Sequence, residues 1–363
     1  MLFPRLPLNS ARSDKECPAE RIIVERKLAS IQRVLAIEPI ANADAIELAR
    51  INGWQCVVKK GEFAPGDLGV FLEIDSIPPD NEVFRFLWMP KSGEQIERPA
   101  KFRIRTMKLR GALSQGLLLP LSSFEFEKAS EGDDVTQLLG VEKYEPPAPV
   151  GMGDFRANFP GFIPKTDEMR VQSVPEVLDE IRGLAYVATL KYDGTSSTFV
   201  IDRRTNEFHA CGRNLSLQEG ENIYWRAARK YDLETVLRRS PNFAVQGELC
   251  GPGIQKNRLN LKELSLFVFN VYDFQNARYL AHDEARQWLS DNGLAPVETI
   301  EEGESFAHTQ DSLLALAEGK YPNTQNEREG IVIRPREERF SPTLGGRLSF
   351  KAISNRFLLK EGE

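Results

Sequence analysis

Cysteine is scarce in these 363 residues: Cys17, Cys56, Cys211 and Cys250 are the whole complement, and no two stand in C-x-x-C spacing. Neither a disulfide framework nor a zinc knuckle is indicated, and a reducing cytoplasm is the expected compartment. The three histidines are isolated in sequence and read as structural or exposed. Long apolar runs are missing too, so no membrane-spanning helix is expected. The opening Met1-Leu2-Phe3-Pro4-Arg5 lacks the charged and apolar regions of a secretory leader. Nor is there a surplus of positive charge, since 47 Lys and Arg face 53 Asp and Glu, a net charge of −6. This balance does not advertise a nucleic-acid binder. It does not exclude one either, because phosphate contact depends on local basic stripes. No obligate protein partner is indicated.

What is present falls into two parts. Residues 1–27 are polar and proline-bearing and read as an arm. From residue 28, the short apolar stretches 31–37, 46–51, 55–58 and 69–74 are separated by turn residues such as Pro65-Gly66-Asp67. This pattern predicts an all-β, OB-type barrel over 28–145. Within it, Lys101-Phe102-Arg103-Ile104-Arg105 alternates basic and apolar residues. On a strand, Lys101, Arg103 and Arg105 would share one face, extended by Lys108 and Arg110. That face is either a groove for a nucleic-acid backbone or simply solvated. Pro146-Pro147-Ala148-Pro149 opens a linker over 146–163. From 164 to 363, strand-like runs alternate with helical stretches at 221–238 and 282–291, which reads as α+β with antiparallel sheets. Trp225 and Trp288 read as core.

The chemistry centres on Leu190-Lys191-Tyr192-Asp193-Gly194-Thr195-Ser196. Strand-like runs flank it, so Lys191 is expected at the end of a buried strand, beside a turn. Burial there disfavours the ammonium form, one route to a nucleophilic amine. Further runs follow in order: Gln246-Gly247-Glu248-Leu249, Leu266-Phe267-Val268-Phe269-Asn270, Glu329-Gly330-Ile331-Val332-Ile333-Arg334 and Leu348-Ser349-Phe350-Lys351-Ala352. The series resembles motifs I, III, IIIa, IV and V of the covalent nucleotidyltransferases, which include ATP-dependent polynucleotide ligases and RNA-capping enzymes. The resemblance implies an adenylyltransferase domain of ATP-grasp-like antiparallel sheets at 164–363.

It also implies roles. Lys191 would attack the α-phosphate of ATP and hold AMP as a phosphoramidate, while Lys351 would neutralise the phosphate. From a free lysine pKa of about 10.4, activation to near pH 7 needs about 4–5 kcal/mol from burial and positive neighbours. Asp193, Glu248 and Glu329 would hold Mg²⁺ or Mn²⁺, with Glu248 alternatively on the ribose. Gly194 lies in the nucleotide loop, and Phe269 would face the adenine. Arg170, in Lys165-Thr166-Asp167-Glu168-Met169-Arg170-Val171-Gln172, would support nucleotide or phosphate binding, and Arg213 would touch the ribose or incoming strand. Lys256 and Arg258, on a glycine-bearing loop, would meet nucleic-acid phosphates.

The order of parts resembles one clade of RNA ligases, in which an OB module precedes the lysine. Such enzymes join a 3′-OH RNA end to a 5′-phosphate, often at a nick in a duplex. Two departures stand out. The arginine that DNA ligases carry two residues after the motif I glycine is Ser196 here. The first lysine of the Lys-x-Lys in motif V is Ser349, so one phosphate contact is lost or supplied by Arg347. The expectation is an ATP-dependent RNA ligase. A DNA ligase, a capping guanylyltransferase and a non-catalytic RNA-binding protein are the alternatives.

Overall fold

The structure, a computed structural model, describes residues 26–88, 101–145 and 153–361. Residues 1–25 of the arm and 146–152 of the linker lie outside the described residues. The first half is built on a five-stranded antiparallel sheet with the spatial order Trp54–Lys59, Ile46–Ile51, Ala29–Pro39, Leu68–Leu72, Leu117–Pro120. Its first strand is long and bulged between Val34 and Ala36, which lets it pair with a different neighbour at each end. The sheet curls until the Cys56 thiol reaches the Gly116 carbonyl at 3.2 Å. Val34, Ile51, Trp54, Phe71, Ile104 and Leu118 fill the interior. This is the expected OB-type architecture.

The second half holds two sheets. One has seven strands, with Thr195–Asp202 and Phe243–Cys250 adjacent and Ser265–Asp273 next. Phe199 and Ile201 pack beneath the helices Ile223–Lys230 and Leu233–Arg239, while Val200 packs on the opposite side with Ile163 and Tyr272. Burial on both faces explains the unbroken apolar run there. The stretch expected as one helix over 221–238 divides because Asp232 is left-handed, at φ 48°. Trp225 is core, with Trp288 packed against it. The expected linker ends early: Phe155–Asn158 is an edge strand of this sheet. The other sheet has five strands, ordered Met169–Arg170, Phe350–Ile353, Gly330–Pro335, Tyr186–Lys191, Thr299–Gly303.

The two halves are docked. Gly53 donates its N–H to the Gln172 carbonyl at 3.2 Å, and its own carbonyl accepts from Gln310 Nε2 at 2.8 Å. A Cβ on Gly53 would sit 2.2 Å from Gln310 Oε1 and 2.6 Å from Gln172 Cα, so only glycine allows this approach. Gln115 Nε2 donates to Asn355 Oδ1 at 3.0 Å, and Leu358 of the last helix packs on the barrel core. Among the described residues, no helix is long and apolar enough to cross a membrane.

Candidate functional site

The strands on either side of Lys191-Tyr192-Asp193-Gly194 do not pair with each other. Tyr186–Lys191 belongs to the five-stranded sheet and Thr195–Asp202 to the seven-stranded one. The chain therefore crosses from sheet to sheet at the lysine. Gly194 is required at the crossing, since a Cβ there would lie 2.4 Å from the Leu249 carbonyl. Tyr321 fastens the seam. Its buried phenol accepts from Asp193 N at 2.9 Å and Glu329 N at 3.2 Å, and donates to the Lys191 carbonyl at 3.2 Å. Burial, then Glu329 and Asp193, push its pKa far above the ordinary value, so the phenol stays neutral. Sequence reasoning missed Tyr321, which stands eight residues before Glu329 and outside every motif.

Gly330 opposes Lys191 in the ladder, which puts Glu329 beside the amine. Lys191 Nζ lies 2.8 Å from both Glu329 carboxylate oxygens. Burial pulls the Lys191 pKa down, but Glu329, Glu248 and Asp193 outweigh it and hold the amine above the ordinary lysine value. This reverses the expected depression. The depressed amine is Lys351: burial, then the charges of Lys191 and Arg170, bring it to about 7. Glu248 is driven by burial to about 8, with Glu329 and Asp193 adding to the rise and Lys191 opposing it.

Asp193, Glu248 and Glu329 share this field without converging. Among the described residues, no three His, Cys, Asp or Glu side chains are grouped to hold a metal ion. The expected three-carboxylate cage is thus not assembled, because two of its members turn to separate cations: Glu329 to Lys191, and Asp193 to Arg258 at 3.0 Å. The carboxylate oxygen donors still suit a hard divalent cation that keeps water and phosphate ligands.

The outer residues divide. Arg170 lies opposite Lys351 in a parallel pair, with Val171 N donating to the Lys351 carbonyl at 2.9 Å. Phe269 falls where the ladder skips from Val268 to Asn270, so it is a bulged residue re-aimed beside the seam. Phe267 instead stacks on Tyr192, with ring centroids 4.2 Å apart. Arg213 pairs with Asp167 at the rim. Arg258 is buried, bonds Asp193 and lies over the Phe357 ring, so it does not present an open phosphate contact; Lys256 on the same loop is exposed. Ser349 is buried and accepts from Arg334 Nε at 2.9 Å. Arg347 donates to Asn270 and Glu338 and covers Tyr279, so it does not replace the missing lysine. The basic stripe is not a strand: pairing starts at Thr106. Lys101 pairs with Glu142, Arg103 is held by Asp75 and lies on the Tyr144 ring, and Arg105 is exposed. Local carboxylates thus engage Lys101 and Arg103.

A family model described as an OB-fold domain matches residues 28–121, and one described as RNA ligase matches 184–353. Among solved structures, an RNA ligase of Naegleria gruberi with pyrophosphate is 39% identical, covers 93% of this chain and 99% of its own, and has a TM-score of 0.82. A glutamate-to-alanine variant of that ligase with ATP and Mn is 38% identical, covers 93% of this chain and 100% of its own, and has a TM-score of 0.83. A lysine-to-methionine variant with AMP and Mn is 38% identical over 93% and 99% of the two chains, with a TM-score of 0.82. No curated protein matches.

Proposed function

The chain belongs to the RNA ligase family, and from that premise we propose that it joins a 3′-OH RNA end to a 5′-phosphate, at breaks in RNA or RNA-containing duplexes, at the expense of ATP. The carrying observation is Lys191, clamped by Glu329 beside two further carboxylates and near the Lys351 and Arg170 cations. Lys191 Nζ attacks the α-phosphorus of ATP; a P–N bond forms and the bond to pyrophosphate breaks. AMP then passes to the RNA 5′-phosphate, and the 3′-OH displaces it. Before the first attack the Lys191 ammonium loses a proton, and Glu329 is the nearest acceptor. Lys351 and Arg170 balance the phosphate charge, and Phe269 faces the adenine. Asp193, Glu248 or Glu329 would hold a Mg²⁺ or Mn²⁺ ion, whose charge would favour the free amine and the leaving pyrophosphate. Residues 28–145 serve RNA contact and 164–363 the adenylyl chemistry. The four scattered cysteines, without paired spacing, support a reducing cytoplasm.

The test is intact mass after incubation of nucleotide-stripped protein with each NTP and Mg²⁺ or Mn²⁺, followed by sealing of RNA and DNA 3′-OH nicks. An AMP adduct with ATP alone and sealing of RNA ends are expected, and Lys191→Ala should lose the adduct. A GMP adduct, or no adduct from folded protein, overturns the reading.

A further inference from the structure

Arg170 belongs to the second half of the chain, yet the carboxylate that holds it belongs to the first. Asp75 Oδ2 accepts from Arg170 Nη2 at 2.7 Å across 95 residues of sequence. Asp75 Oδ1 accepts from Arg103 Nη2 at 2.6 Å and Nε at 3.1 Å, and the Arg103 guanidinium lies 3.9 Å over the Tyr144 ring. The Asp75 backbone is left-handed, at φ 69°. Its N–H donates to the Ile104 carbonyl and its carbonyl accepts from Tyr144 N, both at 2.8 Å. A strained conformation of this kind persists where the surroundings determine it. Burial pushes the Asp75 carboxyl up, but Arg170 and Arg103 outweigh it and keep it ionised.

Arg170 itself is only 7% exposed, and among the described residues its Nε and Nη1 have no hydrogen-bond partner. One nitrogen is anchored and two buried donors are left over. An orphaned donor pair of this kind is costly unless a ligand takes it. Two residues on, the fully buried Gln172 amide is also without a partner on either atom. Planar guanidinium donors suit phosphate oxygens, and holding one end of the fork fixes the direction of the rest.

We propose that Asp75 of the OB half is a positioning residue for the first chemical step: it aims Arg170 at the phosphates of ATP. The nucleotide site is then completed from the half of the chain that carries no nucleotidyltransferase motif. This rests on the ligase reading above.

The experiment is single-turnover formation of the AMP adduct by full-length protein across ATP concentrations, with the reverse reaction across pyrophosphate concentrations. Asp75→Ala should raise the half-saturating concentration of both ligands roughly tenfold, the size typical when the partner that orients a ligand-binding group is lost. Asp75→Asn, which keeps an acceptor and the shape, should recover part of the effect. In an Arg170→Ala background, Asp75→Ala should add nothing. Gln115→Ala loosens the docking of the two halves at Asn355, away from the Arg170 junction, and should leave ATP saturation unchanged. The proposal fails if Asp75→Ala and Asp75→Asn leave saturation within about twofold of wild type, inside the scatter expected of non-coupled sites. It also fails if the Asp75 effect persists without Arg170, or if Gln115→Ala reproduces it. Absence of any adduct in the wild type would instead refute the ligase reading.

Discussion

At the scale of single residues, the resting site is organised by ion pairs rather than by a free base. Glu248 shows how the field can be measured. Burial, with Glu329 and Asp193, pushes its carboxyl up to about 8 in the fold, against an ordinary value of 4.5. Between those values the folded protein holds a proton that the unfolded chain has released, so this group's contribution to stability falls as pH rises through the window. Glu248→Gln is neutral at every pH. In scanning fluorimetry without metal or nucleotide, its Tm should exceed wild type at pH 8.5 and converge with it at pH 5. Tyr321→Phe removes the oxygen shared by Lys191, Asp193 and Glu329 and leaves two buried N–H groups unpaired. It should cost about 1–3 kcal/mol in urea unfolding and slow adduct formation. The reactive residue types were legible in the sequence because each does something few side chains can do. The direction of the Lys191 shift was not, because it depends on which carboxylates the folded chain brings near and which cations it sends to Lys351. Arg258 misled for the same reason: a basic residue on a glycine loop reads as a phosphate contact, whereas the fold buries it against Asp193.

At the scale of elements, the motifs sit where strands begin, end or bulge. The apolar runs at 46–51, 266–272 and 329–334 were readable because burial on strand faces leaves a compositional trace. The seam was not readable, since a strand, a turn and a strand look alike whether they pair with each other or part into two sheets. Nor was the stripe at 101–105, whose alternation belongs to an irregular segment with ion-paired charges. Gly330 is the element-level constraint on the seam. Its φ is +156°, and a Cβ there would approach the Ala352 carbonyl to 2.2 Å. Gly330→Ala should therefore push the Glu329 strand off its neighbour. A loss of about 1–3 kcal/mol in denaturant unfolding, typical of overpacking, is expected together with slower adenylylation.

At the scale of the whole molecule, the two halves meet through backbone and buried polar groups as well as through a surface salt bridge. An OB-type half and an α+β half were each visible in the order of turns and apolar runs, but nothing local to Asp75 or Gly53 announces a contact about a hundred residues away. Gly53→Ala should wedge the halves apart, weaken ATP saturation in the adduct assay and speed proteolytic cleavage between them. A consequence follows for modularity. A barrel transplanted from another protein, even one that grips RNA well, would leave the engine idle. To replace the native one it would have to bring a carboxylate to Arg170 and bare backbone to Gln172. By this geometry the barrel is not a detachable adapter but one wall of the combustion chamber.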